Sequence, residues 1–297
     1  MTRSIRRSLC AGVAGIILAL TPFHLGASPK SKGAARAEKL DAALLQAGTS
    51  GLQTMPVIVK VDPAARNQVR KALKDLGFKV KREHGLISAF TLDAPVGMLE
   101  RIAAIAGVLG VSIDADIRGE QLTTTTTTVP KTSGWLLRDT LGLGGVGVAG
   151  RGVTVAVIDS GIAPHADLAS SIKAFYDFTR GGIATPPYDD YGHGTHVAGL
   201  IGGDGASSWG YYRGIAPAVS LIGMKVLRGD GSGSTSDLIA ALEFATANKA
   251  ALGIDIINLS LGHPIYEPAS GTVCGAGTAC PASATNPSPS DVLECRE

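Results

Sequence analysis

Val153-Thr154-Val155-Ala156-Val157-Ile158-Asp159-Ser160-Gly161 is a run of strand-forming residues that stops abruptly on a carboxylate followed by a glycine. A second string, Gly192-His193-Gly194-Thr195-His196-Val197-Ala198-Gly199, sets an imidazole between two glycines just before an apolar helix running to Ile201. A carboxylate at the end of a parallel strand and a histidine at a helix start are two members of a Ser-His-Asp relay. The third member, a serine in a matching segment, is missing from the remaining residues. Taken singly, Asp-Ser-Gly reads as a turn and His193 as a helix-capping histidine. The two gain meaning from their order and their strand and helix contexts.

Around this centre the chain alternates strands (Val153–Ile158, Ile172–Phe178, Val219–Leu227, Ile254–Leu261) with helices at His196–Ile201 and Thr235–Asn248. That alternation predicts an α/β domain built on a doubly wound parallel sheet, with chemistry beyond the carboxyl ends of its strands. Upstream, the pattern predicts a strand at Pro56–Val61, a helix at Ala64–Leu76, strands at Phe78–Lys81 and Leu86–Leu92, a helix at Val96–Ile105 and a strand at Val108–Ile113. The order β-α-β-β-α-β is that of a small ferredoxin-like α+β sandwich over residues 55–116. Residues 117–133, with six threonines from Thr123 to Thr128, read as an exposed linker, and the second domain as residues 134–268.

With 297 residues, 45% apolar, 18% charged and 39 glycines, the chain has room for two cores and suits a loop-rich α/β protein. Residues 1–130 hold 17 Lys and Arg against 10 Asp and Glu, while residues 131–297 hold 10 against 15. A basic front could therefore dock on an acidic rear, although sampling alone gives such splits. No basic-aromatic stripe is present, so nucleic acid is not an expected partner. Arg3, Arg6 and Arg7, an apolar stretch from Leu9 to Leu20, Pro22 and Gly26-Ala27-Ser28 read as a secretory signal over residues 1–27. The stretch is too short to span a bilayer, so the expectation is export without stable membrane association. Cys274, Cys280 and Cys295 crowd the C-terminal end; a Cys274–Cys280 disulfide is open outside the cell, with an odd thiol left over. No Cys/His cluster has zinc spacing.

These residues resemble the subtilisin-like serine proteases, the subtilases. Asp159-Ser160-Gly161 and His165-Ala166-Asp167-Leu168 resemble the aspartate motif and its continuation, and His193 to Gly199 matches the histidine motif, 34 residues on from Asp159. Lys225-Val226-Leu227 with Asp230 to Gly233, and Ile257 to Gly262, resemble the two substrate-binding edges. The resemblance spans residues 55 to about 268 and implies a secreted endopeptidase precursor. Asp159 would orient His193, and His193 would be the general base. Ser232, Gly233, Ser260, Leu261 and Gly262 would pair with an extended polypeptide substrate. The front domain would be a propeptide that inhibits the enzyme intramolecularly. His196, one helical turn after His193, is expected to pack or cap rather than to react. No metal ligand set and no cofactor is assigned. Calcium is common in the family and Asp167 matches one ligand position, but Gly202 to Tyr212 lacks the Asn-rich ligand pattern.

The family pattern then fails. No Gly-Thr-Ser-Met-like segment comes after Ser260, and Gly48-Thr49-Ser50 lies in the wrong order. From Ala269 to residue 297 the chain shows neither helical nor strand period, and Pro281, Pro287 and Pro289 forbid a continuing helix. The expectation is a shifted or prematurely ended reading frame, a sheet with a bare edge, and a chain without peptidase activity. The alternative reading is a propeptide-type inhibitor or binding module followed by a non-catalytic remnant.

Overall fold

The computed structural model describes residues 39–41, 44–45, 54–119, 138, 141–143 and 147–262, with the backbone of 273–274 and 278–279. The expected signal at residues 1–27 and the thiols of the C-terminal end lie outside the described residues.

The front part is a four-stranded antiparallel sheet with strand order β2-β3-β1-β4, formed by β1 (Thr54–Val61), β2 (Val80–His84), β3 (Ala89–Pro95) and β4 (Val108–Ile113). Val57, Val59 and Val61 alternate along β1 and point into one apolar core. Helix α1 (Arg66–Asp75) buries Val69 and Leu73, four residues apart on one face. The short α2 (Leu99–Ala103) adds Leu99 and Ile102 to the same core.

The rear part is a five-stranded sheet of order β11-β6-β9-β7-β8. Its strands are β6 (Thr154–Asp159), β7 (Ile172–Asp177), β8 (Ile183–Ala184), β9 (Ser220–Lys225) and β11 (Ile256–Leu259). β11, β6, β9 and β7 run parallel, and β8 closes one side antiparallel. β6 reads as an unbroken apolar run because both of its faces are covered. Val155 and Val157 pack under α3 (His193–Gly202), while Ala156 and Ile158 pack under α4 (Thr235–Ala247), which the short α5 (Lys249–Leu252) follows. Helix α3 meets the sheet through its buried Gly194, Ala198 and Gly202, whose small size brings the two backbones close. On the far side, Ile256, Ile257 and Leu259 of β11 are exposed, and among the described residues no strand pairs beyond them.

Three expectations need correcting. Residues 117–119, placed in an exposed linker, belong to strand β5 (Asp116–Gly119), with Ile117 fully buried. β5 is the middle strand of a third sheet, antiparallel to β10 (Ser232–Ser234) on one side and to β12 (Leu261–Gly262) on the other. The irregular stretch from 269 carries a short backbone hairpin, in which β13 (Val273–Cys274) pairs with β14 (Thr278–Ala279). Helix α3 starts at His193 rather than His196, because Gly192 in a left-handed conformation turns the chain directly into it.

The front and rear parts meet along β2 and the first turns of α4. Arg82 donates to Asp237 Oδ1 at 2.7 Å and to the Ser236 carbonyl at 3.0 Å. Asp114 accepts from the backbone N–H and hydroxyl of Ser236 at 2.8 and 2.6 Å. Farther along α4, Glu243 accepts from the Leu86 N–H at 2.8 Å, so the two parts meet through a few directed polar pairs.

Candidate active site

Asp159 is the last residue of β6, and its neighbour in the ladder is Lys225 at the end of β9. The carboxylate is fully buried, yet His193 Nδ1 stands 2.8 Å from Oδ1, and the Ser160 N–H donates to the same oxygen at 2.6 Å. Burial pushes Asp159 above the usual carboxylate range, while the bonds from His193 and Ser160 pull it back. Oδ2 is buried without a hydrogen-bond partner. The His193 side chain keeps 16% exposure, so the ring is not sealed from solvent.

Two glycines let these residues meet. Gly161 has φ +126°, and a Cβ there would overlap the Tyr188 carbonyl. A Cβ on Gly194 would overlap the Gly161 carbonyl and lie 3.0 Å from Asp159 Cβ. The helix carrying the imidazole can therefore approach the strand end carrying the carboxylate only without a side chain at 194.

The expected substrate-binding residues form two rails around β5. Ser232 lies opposite Arg118 and Gly233 opposite Ile117; across the strand, Leu261 lies opposite Gly119 and Gly262 opposite Arg118. Ser260 precedes the second rail, its hydroxyl accepting from Asn258 Nδ2 at 3.0 Å. Ile117 fills an apolar hollow with Val226, Leu227 and Leu261. Gly119 backs onto the imidazole, since a Cβ there would stand 3.3 Å from His193 Nδ1 and 3.2 Å from Leu227 Cδ1. The chain's own strand thus lies where an extended peptide was expected to pair.

Asp189 was overlooked as part of this site, and Lys225 was read only as the start of one substrate-binding edge. Lys225 is 1% exposed and gives its ammonium protons to the Ser160 carbonyl, Asp190 Oδ1 and the Leu227 carbonyl at 2.6, 2.6 and 2.5 Å. It ties the loop after β6 to the first rail. A lysine ending an apolar strand beside the Asp159 strand was the available signal. His196 is exposed on the outer face of α3. Asp167 accepts from the Ser207 N–H at 2.6 Å. Among the described residues no cluster of three or more His, Cys, Asp or Glu side chains could hold a metal ion. No helix among them is long and apolar enough to cross a membrane.

Comparison with known proteins bears on this geometry. Residues 150–292 match the Subtilase family. That stretch, just under half of the chain, is similar to a subtilase domain. The match begins later than the expected boundary at 134 and runs beyond 268, where the resemblance was expected to end. The chain is similar to serine protease AprX of Bacillus subtilis, 48% identical over 118 residues, which is 39% of this chain and 26% of that protein. Subtilisin Savinase of Lederbergia lenta is 43% identical over 118 residues, 40% of each chain. The minor extracellular protease Vpr of Bacillus subtilis is 29% identical over 231 residues, 69% of this chain and 26% of that protein. The chain therefore spans between about a quarter and two-fifths of the length of these relatives.

Two solved structures share the fold. Fervidolysin from Fervidobacterium pennivorans aligns with a TM-score of 0.54 at 19% identity, over 72% of this chain and 36% of that one. The epidermin leader peptide processing serine protease of Staphylococcus aureus aligns with a TM-score of 0.55 at 16% identity, over 71% and 50%. The architecture is the subtilisin-like α/β fold.

Proposed function

We propose that this chain is an exported subtilisin-like serine endopeptidase precursor, with Asp159 and His193 as the acid and base of an Asp-His-Ser relay. Residues 54–119 act as its intramolecular inhibitor. One observation carries the reading: the 2.8 Å contact between His193 Nδ1 and Asp159 Oδ1 sits at the carboxyl ends of a parallel sheet, with Gly119 of β5 against the imidazole. Asp159 holds the proton on Nδ1 and stabilises the imidazolium, leaving Nε2 to take a proton from a serine hydroxyl and return it to the leaving amine. A polypeptide substrate takes the place of β5, its backbone pairing with Ser232 and Gly233 on one rail and with Ser260, Leu261 and Gly262 on the other. The basic, apolar N-terminal segment supports export, as do the names of two relatives, the minor extracellular proteases Epr and Vpr. No metal or cofactor takes part in this reading.

The nucleophile is not carried by any Gly-Thr-Ser-Met-like segment after His193 in the 297 residues. Absence of the serine from such a relay costs on the order of a millionfold in turnover. The 297-residue chain is therefore expected to release no product from peptide substrates; a turnover that serine-directed inhibitors block would overturn that statement. The groove is tested separately. Ile117→Asp should expel β5 and allow saturable binding of a fluorescent peptide carrying the sequence of residues 116–119, which the unaltered chain excludes. Failure of the folded variant to bind would show that the two rails do not hold an extended peptide. The second reading, an inhibitor module, draws on the self-contained core of the front part. It predicts that the intact chain slows a related subtilisin added to it.

A further inference from the structure

We propose that Asp189, four residues before His193, is a positioning residue that sets the Asp159–His193 contact. The proposal rests on the relay reading above and deepens it. The carboxylate of Asp189 reaches both segments that carry the pair. Its Oδ1 accepts from the Ser160 hydroxyl at 2.9 Å, in the segment directly after Asp159. The same oxygen accepts from the Tyr191 and Gly192 N–H groups at 3.1 and 2.8 Å. Its Oδ2 accepts from the N–H and hydroxyl of Thr195, two residues past His193, at 2.9 and 2.6 Å.

The bonds then close on themselves. The Ser160 hydroxyl, while donating to Asp189, accepts from the Gly194 N–H at 2.9 Å. The Ser160 N–H donates to Asp159 Oδ1, the oxygen that faces His193 Nδ1. The Thr195 hydroxyl accepts from the Ala163 N–H at 2.9 Å, a second link between the loop after β6 and α3. Gly161 and Asp189 also form an antiparallel backbone bridge. A carboxylate serving only to cap a helix would bond the free N–H groups of its first turn. Asp189 does this and also holds the hydroxyl beside Asp159, so the carboxylate and the imidazole are indexed to one common group.

Ionisation favours the role. Burial of Asp189 works to raise its pKa, but the bonds from Thr195, Gly192 and Tyr191 outweigh it and hold the group below the usual carboxylate range. It is then purely an acceptor, with lone pairs on both oxygens turned toward its donors. An asparagine can accept only through one of its two atoms, so Asp189→Asn keeps the Ser160 side of the clamp and loses the Thr195 N–H.

The test reads the geometry and not turnover. In one-dimensional proton NMR of the full chain, a proton held between His193 Nδ1 and Asp159 gives a separate far-downfield resonance, which Asp159→Asn removes and so assigns. Asp189→Ala should abolish that resonance or broaden it by exchange with water, while the upfield methyl signals of the sheet core persist. Asp189→Asn should retain it with faster exchange than the unaltered chain. An unchanged resonance in folded Asp189→Ala overturns the positioning role. If Asp189→Ala does not fold, an unchanged resonance and exchange rate in Asp189→Asn overturns it equally. Absence of the resonance from the unaltered folded chain overturns the Asp159–His193 pairing itself, a distinct result that takes this proposal with it.

Discussion

A methyl group at residue 194 would overlap the Gly161 carbonyl and press against Asp159 Cβ. Neither neighbour can give way, since one is backbone in a left-handed loop and the other belongs to a fully buried strand end. Gly194→Ala should therefore destabilise the rear part by about 2–3 kcal/mol, the usual cost of overpacking a rigid contact. A lowered urea midpoint at unchanged slope would report it; an unchanged midpoint would mean that α3 can retreat freely. At the same scale, sequence reading singled out Asp159 and His193, which the structure brings within 2.8 Å, because each stands at a turn in the pattern, a strand stop and a helix start. It passed over Asp189, whose role consists of partners at 160 and 195 that no local window contains.

Among the elements, β5 depends most on its surroundings. Asp-Ile-Arg-Gly is four residues long, and its partner strands begin more than a hundred residues later in the chain, at Ser232 and Leu261. No periodicity could announce it, and it fell into the expected linker. The start of α4 pins its leading end. Ser234 caps that helix by accepting from the Asp237 N–H at 3.2 Å. The Thr235 N–H and hydroxyl both donate to the Ala115 carbonyl, at 3.0 and 2.9 Å, and Asp114 receives both donors of Ser236. Asp114→Ala leaves the Ser236 N–H without its partner, a cost of about 1–3 kcal/mol. Amide exchange at Ile117 and Gly119 should then quicken roughly tenfold through local opening. Equal rates in both proteins would show that β5 is held by its rails alone.

Across the whole molecule, His84 links the two parts. It is fully buried at the end of β2, with Nε2 2.9 Å from the Thr91 hydroxyl and Nδ1 3.4 Å from Glu243 Oε2 on α4. Burial lowers its pKa below 6.5; Glu243 and Asp114 oppose that shift, and Arg82 adds to it. A group whose folded pKa is depressed binds protons more tightly when released. Its contribution is thus complete above about pH 6.5 and is lost as the pH falls through the folded value. The contact between front and rear should weaken as the pH falls below about 6.5, seen as smaller protection factors of the β5 amides once the intrinsic pH dependence of exchange is divided out. His84→Phe should flatten that dependence, whereas an unaltered slope in the variant would assign it to other groups.

What the residues determined by themselves was local and periodic. Val155 to Ile158 read as a strand of a parallel sheet, and the Gly-His-Gly string as the lead into an apolar helix, which the structure starts at His193 itself. The α/β class and the sites of the carboxylate and imidazole came from those patterns. Tertiary structure decided which segments meet: that β5 runs between β10 and β12, that Asp189 joins the Asp159 loop to the His193 helix, and that His84 faces Glu243. The reason is that periodicity records which face of an element is apolar, whereas hydrogen-bond partners far apart in the chain are chosen only when the packed elements bring them within 3 Å.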